Sequence, residues 1–239
     1  SLVMSCADRA RVPAGKALAV DRDIFSRLVT AALEEHPLVK IERGECLSIP
    51  EGPVIIATGP LTSPAMAEEI KKLAGEEYLS FFDAIAPVVE ADSIDMSIAF
   101  RRGRWGQEDD YINCPFTRNE YGAFIRALTS AERTLPHDFE DSPSWFEGCL
   151  PVEVMASRGP DTLRFGPMRP VGLPLPGTGE EAWAVVQLRQ DNREGTLYNI
   201  VGFQTSLRWG EQERVFRMIP GLAGAEFARF GVMHRNIYV

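Results

Sequence analysis

The sequence predicts a partial α/β unit of the Rossmann-like kind, followed by a larger mixed α+β unit. Three observations point there. The apolar run Val54-Ile55-Ile56-Ala57 ends in Thr58-Gly59-Pro60, as a buried parallel strand ends in a glycine turn. Ile24, Phe25, Leu28, Val29, Ala32 and Leu33 recur at helical spacing upstream of it. After about residue 76 the chain turns aromatic and alternating, in the manner of antiparallel strands. The first unit offers three strands and one or two helices, too few for a complete doubly wound domain, so its partner strands are expected outside the chain.

In chain order, residues 1–16 carry no clear element and start without a methionine, which reads as a fragment or a trimmed product. Asp21 is an N-cap for a helix to about Glu35, which stops at His36-Pro37 because proline disfavours helical geometry in the residue before it. His36 reads as a helix-end residue. Short strands are expected at 38–43 and 45–50, then the buried strand 54–57, then a helix near Ser63-Pro64. Residues 78–89 are β-rich, and 94–100 alternate polar and apolar residues. A basic turn follows at Arg101-Arg102-Gly103-Arg104-Trp105-Gly106, then a strand at 111–116. Thr117 and Glu120 form a capping box for a helix to about Ser130. Residues 133–148 are loop-rich and acidic. Antiparallel strands at 182–189 and 197–205 are joined through 190–196. A helix spans 209–219, stopped by Pro220-Gly221, and the end, 225–239, is β-rich and carries His234.

Composition narrows the class. The chain has 239 residues, 45% hydrophobic and 25% charged, which is ample for a real core. No run of about 18 apolar residues and no signal-peptide order is present, so a cytoplasmic location is expected, with no membrane partner. The four cysteines lie apart without a CxxC pair and there are three histidines, a pattern that signals neither a disulfide framework nor a metal site. The net charge of −9 argues against indiscriminate nucleic-acid coating but allows a local basic groove. Only four of the 25 basic residues are lysines. Arginine suits phosphate recognition, while genomic base composition explains the same bias.

Cys149 is the first candidate nucleophile. It sits in Glu147-Gly148-Cys149-Leu150-Pro151, a shaped turn that feeds a short helix, and a helix N-terminus lowers a thiol pKa. The competing reading is a small core residue. Cys114 is the alternative thiol, and Cys6 and Cys46 read as structural. Gly59 lets the backbone approach a ligand at the end of the preceding strand, which makes Ala57, Thr58 and Gly59 a weak cofactor-binding signal, since no GxGxxG occurs anywhere in the chain. Arg189, Gln190, Asp191 and Asn192 either orient a planar ligand edge or close a hairpin. Arg101, Arg102 and Arg104 beside Trp105 suit a single-stranded RNA loop, or form a solvated basic turn. His137 reads as exposed.

The strings FEGCLPVE (146–153), RGPDTLRFGPM (158–168), AVVQLRQDN (184–192), LYNIVGFQT (197–205) and GVMHRN (231–236), with VPAGKALAVDR (12–22) and VIIATGPLTS (54–63), resemble the folate- and flavin-dependent tRNA uracil-5-methyltransferases. The resemblance runs nearly the whole length. It implies formation of 5-methyluridine in the T-loop of tRNA, with carbon from methylenetetrahydrofolate and electrons from reduced FAD, itself reduced by NAD(P)H. It further implies an FAD-binding domain interrupted by an α+β domain: residues 1–64 as partial FAD domain, 65–228 as the inserted substrate and tRNA domain, and 229–239 as a return strand. By resemblance Cys149 is the nucleophile or the partner of a second cysteine. His234 is placed beside the folate with Arg189, Gln190 and Asn192, and the alternative for it is a hydrogen-bonded structural histidine. The family's GxGxxG opening, its VCSN segment and its glycine-rich ending are not found here, so the isolated chain is expected to hold FAD weakly and to be inactive alone. A non-catalytic RNA-binding module, derived from the related flavoprotein that modifies the tRNA wobble uridine, is the alternative function. A cysteine hydrolase pairing Cys149 with His137 or His234 is a distant third.

Overall fold

The computed structural model describes residues 1–59, 62–74, 79–134 and 150–238. The chain opens with α1 (Leu2–Arg9), capped by the Ser1 side chain, and a two-stranded ribbon of β1 (Arg11–Val12) and β2 (Ala19–Val20). The helix expected from Asp21 follows as α2 (Arg22–Glu34). The Asp21 carboxylate accepts the amides of Asp23 and Ile24, and Glu35 closes the far end. These bonds, the Ile24 amide foremost, hold the Asp21 carboxyl below its ordinary pKa. His36 Nδ1 accepts the Leu38 amide, which places it at the helix end as its position predicts.

The strands expected at 38–43, 45–50 and 54–57 are not formed. All of their residues but the half-buried Ile49 are exposed, Ile55 by 92%, because a strand needs a neighbour to receive its backbone hydrogen bonds and no described segment pairs with them. The helix at Ser63-Pro64 is present as α3 (Pro64–Ala74), with the Ser63 hydroxyl accepting the Met66 amide.

β3 (Leu79–Ala84) starts the aromatic region. β4 (Val88–Glu90), β5 (Phe100–Arg101) and β6 (Tyr111–Phe116) follow. The alternating stretch 94–100 contributes only its last residue to a strand. The Asp95 carboxylate accepts both the amide and the hydroxyl of Ser97, and the Asp95 carbonyl accepts the amides of Ile98 and Ala99, so a turn takes the groups a strand would use. α4 (Arg118–Ser130) begins at Thr117 with the expected capping box. α5 (Val152–Ser157) and α6 (Thr162–Phe165) are short. β7 (Ala184–Gln190) and β8 (Leu197–Ile200) form the expected hairpin, with β8 ending five residues early because Phe203 turns into the core. α7 (Trp209–Phe216), β9 (Phe227–Arg229) and β10 (Met233–Tyr238) complete the chain.

A six-stranded antiparallel sheet in the order β5-β6-β7-β8-β4-β9 is the centre of the molecule. Strand residues alternate faces. Ile112, Cys114 and Phe116 of β6, with Val186 and Leu188 of β7 and Ile200 of β8, form one buried face, which packs on Tyr121, Phe124 and Leu128 of α4 and on Val215 and Phe216 of α7. Rings of Phe116, Phe124, Phe203 and Phe216 run through this core at centroid separations of 5.4, 6.2 and 5.8 Å. β3 and β10 stand apart as a separate antiparallel pair.

Candidate functional site

The second face of the sheet carries the polar chemistry. Directly opposed residues in neighbouring strands share a face, so Tyr111, Arg189, Asn199, Val88 and Arg229 form one row across five strands. At the β9 end this row opens on a cavity of about 350 Å³, lined by Arg22, Asp191, Asn199, Trp209, Phe227 and Arg229 among others. Asp191 projects from the end of β7 between two guanidinium groups. Arg22 Nη2 lies 3.2 Å from its carboxylate, and Arg229 donates to the same oxygen. On the other wall, the Trp209 ring stacks on Phe230 at 5.6 Å and 16°, and Phe230 stacks on Phe227 at 5.4 Å and 18°. Trp209 is 62% exposed, so this aromatic stack ends at solvent. A charged cluster beside an open ring suits a planar heteroaromatic ligand with donor and acceptor edges.

Of the residues expected to bind folate or substrate, Arg189 lies half-buried in this row. Gln190 and Asn192 are occupied by the turn they precede. Asn192 Oδ1 accepts the amides of Thr196 and Leu197 and its Nδ2 donates to Thr196, while Gln190 Nε2 donates to the Asn192 carbonyl. His234 is in β10, opposite Asp83. Arg22, Asn199, Trp209, Phe227, Arg229 and Phe230 escaped sequence reasoning, because Arg22 is separated from Trp209 and Arg229 by most of the chain and only the tertiary fold brings them together. Asp191, between the strand and the turn, was the readable signal.

The basic turn is bonded to the strands and loops around it. Arg101 donates to the Tyr198 hydroxyl and lies over its ring. Arg102 donates to the Pro174 carbonyl. Arg104 donates to the Gln187 side chain and to the carbonyls of Val171 and Arg169, in a network continued by Gln187 to Asn113. Its pKa is lowered, first by burial and then by the neighbouring Arg169. Trp105, 67% exposed, lies over Gly172, where a Cβ would stand 2.9 Å from the indole.

Cys149 and His137 lie outside the described residues. Of the other thiols, Cys114 is fully buried on the core face, and burial pushes its pKa to about 12, so it carries almost no thiolate at neutral pH. Cys6 is buried, and Cys46 is exposed with its Sγ donating to the Ser48 carbonyl. Two residues beyond Pro151, the buried carboxylate of Glu153 accepts the Ser206 amide at 2.7 Å, the Ser206 hydroxyl at 2.6 Å and the Thr205 hydroxyl at 2.9 Å. Gln212, also buried, donates to the carbonyls of Leu207 and Gly231 and accepts the Gly231 amide. A Cβ at Gly231 would meet Thr205 at 2.5 Å. The helix that follows Cys149 in sequence and the strand that carries His234 are thus joined through one buried polar chain: Glu153, Thr205–Leu207, Gln212 and Gly231.

Ala57, Thr58 and Gly59 follow the run Val54–Ile56 as a glycine turn. They are exposed, and the loop is held by the Thr62 hydroxyl, which donates to the Gly59 carbonyl and pairs with Thr58. Gly59 has φ +68° and open space around its Cβ position. This permits close approach of a ligand, although among the described residues no paired strand stands behind the turn. Among the described residues no group of three His, Cys, Asp or Glu side chains could hold a metal ion, and no helix is long and apolar enough to cross a membrane.

The family model "Glucose inhibited division protein A" matches residues 1–239. The chain is 65% identical over 241 aligned residues to a protein of Moorella thermoacetica named methylenetetrahydrofolate–tRNA-(uracil-5-)-methyltransferase TrmFO. The alignment covers all of this chain and 55% of that protein. A protein of the same name from Desulforudis audaxviator is 59% identical, with the same coverage of both. The chain therefore spans about half the length of these relatives. The solved structure of Aquifex aeolicus GidA in its form II crystal superposes with a TM-score of 0.60 at 13% identity, over 98% of this chain and 45% of that one, a likeness of fold.

Proposed function

The chain belongs to the glucose inhibited division protein A family, and on that premise we propose that it is part of a tRNA (uracil-5-)-methyltransferase that forms 5-methyluridine in the T-loop, acting in the cytoplasm. The observation that carries the reading is 65% identity across the whole chain to a relative bearing that name. The site supports it. Trp209 offers a stacking face, and the Arg22–Asp191–Arg229 cluster with Asn199 and Arg189 offers paired polar contacts to a pterin or a uracil. His234, from the strand tied to the same region through Gln212, is assigned to the folate, with Gln190 and Asn192 shaping the turn beside Arg189.

Uracil C5 is a weak nucleophile. In this reading the Cys149 thiolate bonds to C6, the C5–C6 π pair moves into the C5–C4–O4 enolate, and C5 bonds the iminium methylene carbon, whose π pair passes to the folate nitrogen. A base then removes the C5 proton, the remaining C–N bond breaks with its pair going to the nitrogen of tetrahydrofolate, and the thiolate leaves C6 once a hydride equivalent has reached the exocyclic methylene. Carbon from methylenetetrahydrofolate is at the oxidation level of formaldehyde, so completing the methyl group requires two further electrons. The family resemblance assigns these to reduced FAD, renewed by NAD(P)H. The division at residues 64/65 and 228/229 belongs to the same proposal; the β3–β10 pair stands apart from the large sheet and joins residues 79–84, on the inserted side of that division, to the return strand.

The test is a chimera in which residues 1–239 replace the matching segment of the Moorella relative, with and without Cys149→Ala. Labelled carbon transfer from methylenetetrahydrofolate to unmodified tRNA is followed. Transfer by the chimera and its loss in the variant is the expected result. Undiminished transfer by Cys149→Ala removes the covalent role, and no transfer by a folded, flavin-loaded chimera overturns the methyltransferase reading in favour of an RNA-binding module.

A further inference from the structure

At the other end of β7, seven strand residues and so roughly 25 Å from Asp191, a second cavity of about 560 Å³ opens beside Trp183. Its ring is flanked by two guanidinium groups, Arg164 at 3.7 Å and Arg118 at 4.9 Å from the centroid. Arg164 is fixed further by donating from Nε to the Trp183 carbonyl. Arg164 Nη1 also lies 3.8 Å from the Asp161 carboxylate, whereas Arg118 is exposed and, among the described residues, has no carboxylate at ion-pair distance. It is also the first residue of α4, where the helix dipole disfavours a cation. Of the amides at that turn, those of Thr117 and Glu120 are bonded to the Glu120 and Thr117 side chains. The one acidic residue in the lining, Glu181, accepts the Gly172 amide. Pro115, Pro170 and Leu175 supply an apolar floor.

We propose that the Arg118–Trp183–Arg164 cavity binds a phosphate-bearing nucleotide of the RNA substrate, away from the uridine that is methylated. Guanidinium groups held flat by a ring present their N–H forks to a phosphate, and the apolar floor takes a ribose or base edge. In a chain of net charge −9, such a pair draws a polyanion to one place. The distance from the Asp191 cavity is one that a folded RNA spans and a free folate does not. The inference rests on the methyltransferase reading for the identity of its ligand.

The experiment measures binding of a fluorescent unmodified tRNA transcript to this chain by anisotropy at several salt concentrations, for wild type, Arg118→Glu and Arg118→Lys. An acidic residue suits the first turn of a helix, so Arg118→Glu keeps α4, and an unchanged unfolding midpoint verifies this. The expected result is about tenfold weaker binding by Arg118→Glu, a salt slope lower by about 1, and an intermediate loss for Arg118→Lys, which keeps the charge without the fork. Binding by Arg118→Glu within about twofold of wild type and with the same slope overturns the cavity assignment and leaves the methyltransferase reading intact. A wild-type chain that does not bind tRNA at any salt concentration also overturns it, and the carbon-transfer assay on the chimera then decides the function separately.

Discussion

At the scale of single residues, a thiol's usefulness depends on its access to water, and the described cysteines divide on that basis. Cys114 faces the core between Phe116 and Ile112 of the same strand, and burial raises its pKa from 9.0 to about 12. Folding therefore favours the protonated thiol. The resulting stability is fully present below pH 9 and is lost as the pH rises toward 12, on the order of a few kcal/mol in all. Wild type is expected to lose more unfolding free energy than Cys114→Val over that window, measured by urea denaturation at stepped pH. Parallel curves would show that folding does not raise the thiol pKa above its unfolded value. In the native protein at neutral pH, Cys46 should react with a thiol reagent while Cys114 does not. The sequence named both thiols, and NCP in a strand pattern did not say which face the cysteine takes. Register against β7 decided that.

At the scale of elements, α5 is six residues long and its N-cap, Pro151, makes no side-chain cap bond. Such a helix has little stability of its own. It is held by the Val152 amide donating to the Gln204 carbonyl and by the three bonds that Glu153 accepts. Glu153→Gln places an amide group where two donors of Ser206 or one of Thr205 require an acceptor, which costs about 2 kcal/mol and lowers the thermal midpoint by roughly 4–8 °C. If calorimetry finds no shift, the latch is not structural. Elements whose signals are local were legible: the Asp21 cap, the Thr117–Glu120 box, β6 to the residue and the β7–β8 hairpin. Elements that depend on a partner were not. Val54–Ala57 has the composition of a buried strand, and 94–100 the alternation of one, yet neither finds a neighbour along its length.

For the whole molecule, the large sheet and its helices form a continuous core, whereas residues 38–59 are exposed except for the half-buried Ile49, and among the described residues their glycine turn stands without a paired strand. The chain mixed with FAD and passed through gel filtration should therefore elute without flavin, while the chimera with the Moorella relative retains it, as read by flavin absorbance. Stoichiometric flavin on the isolated chain would show that Ala57–Gly59 suffice. By itself the sequence determined the capped helices, the hairpin, the mixture of helix and sheet and, through its strings, the family, because these reside in neighbouring residues or in unbroken order. Only the tertiary structure decided that Asp191 lies between Arg22 and Arg229, that Trp209 ends an aromatic stack, and that the basic turn is bonded to the strands and loops around it. Those outcomes depend on strand register and on contacts between residues far apart in the chain. They arise when the sheet buries its apolar face and sets the direction of the other.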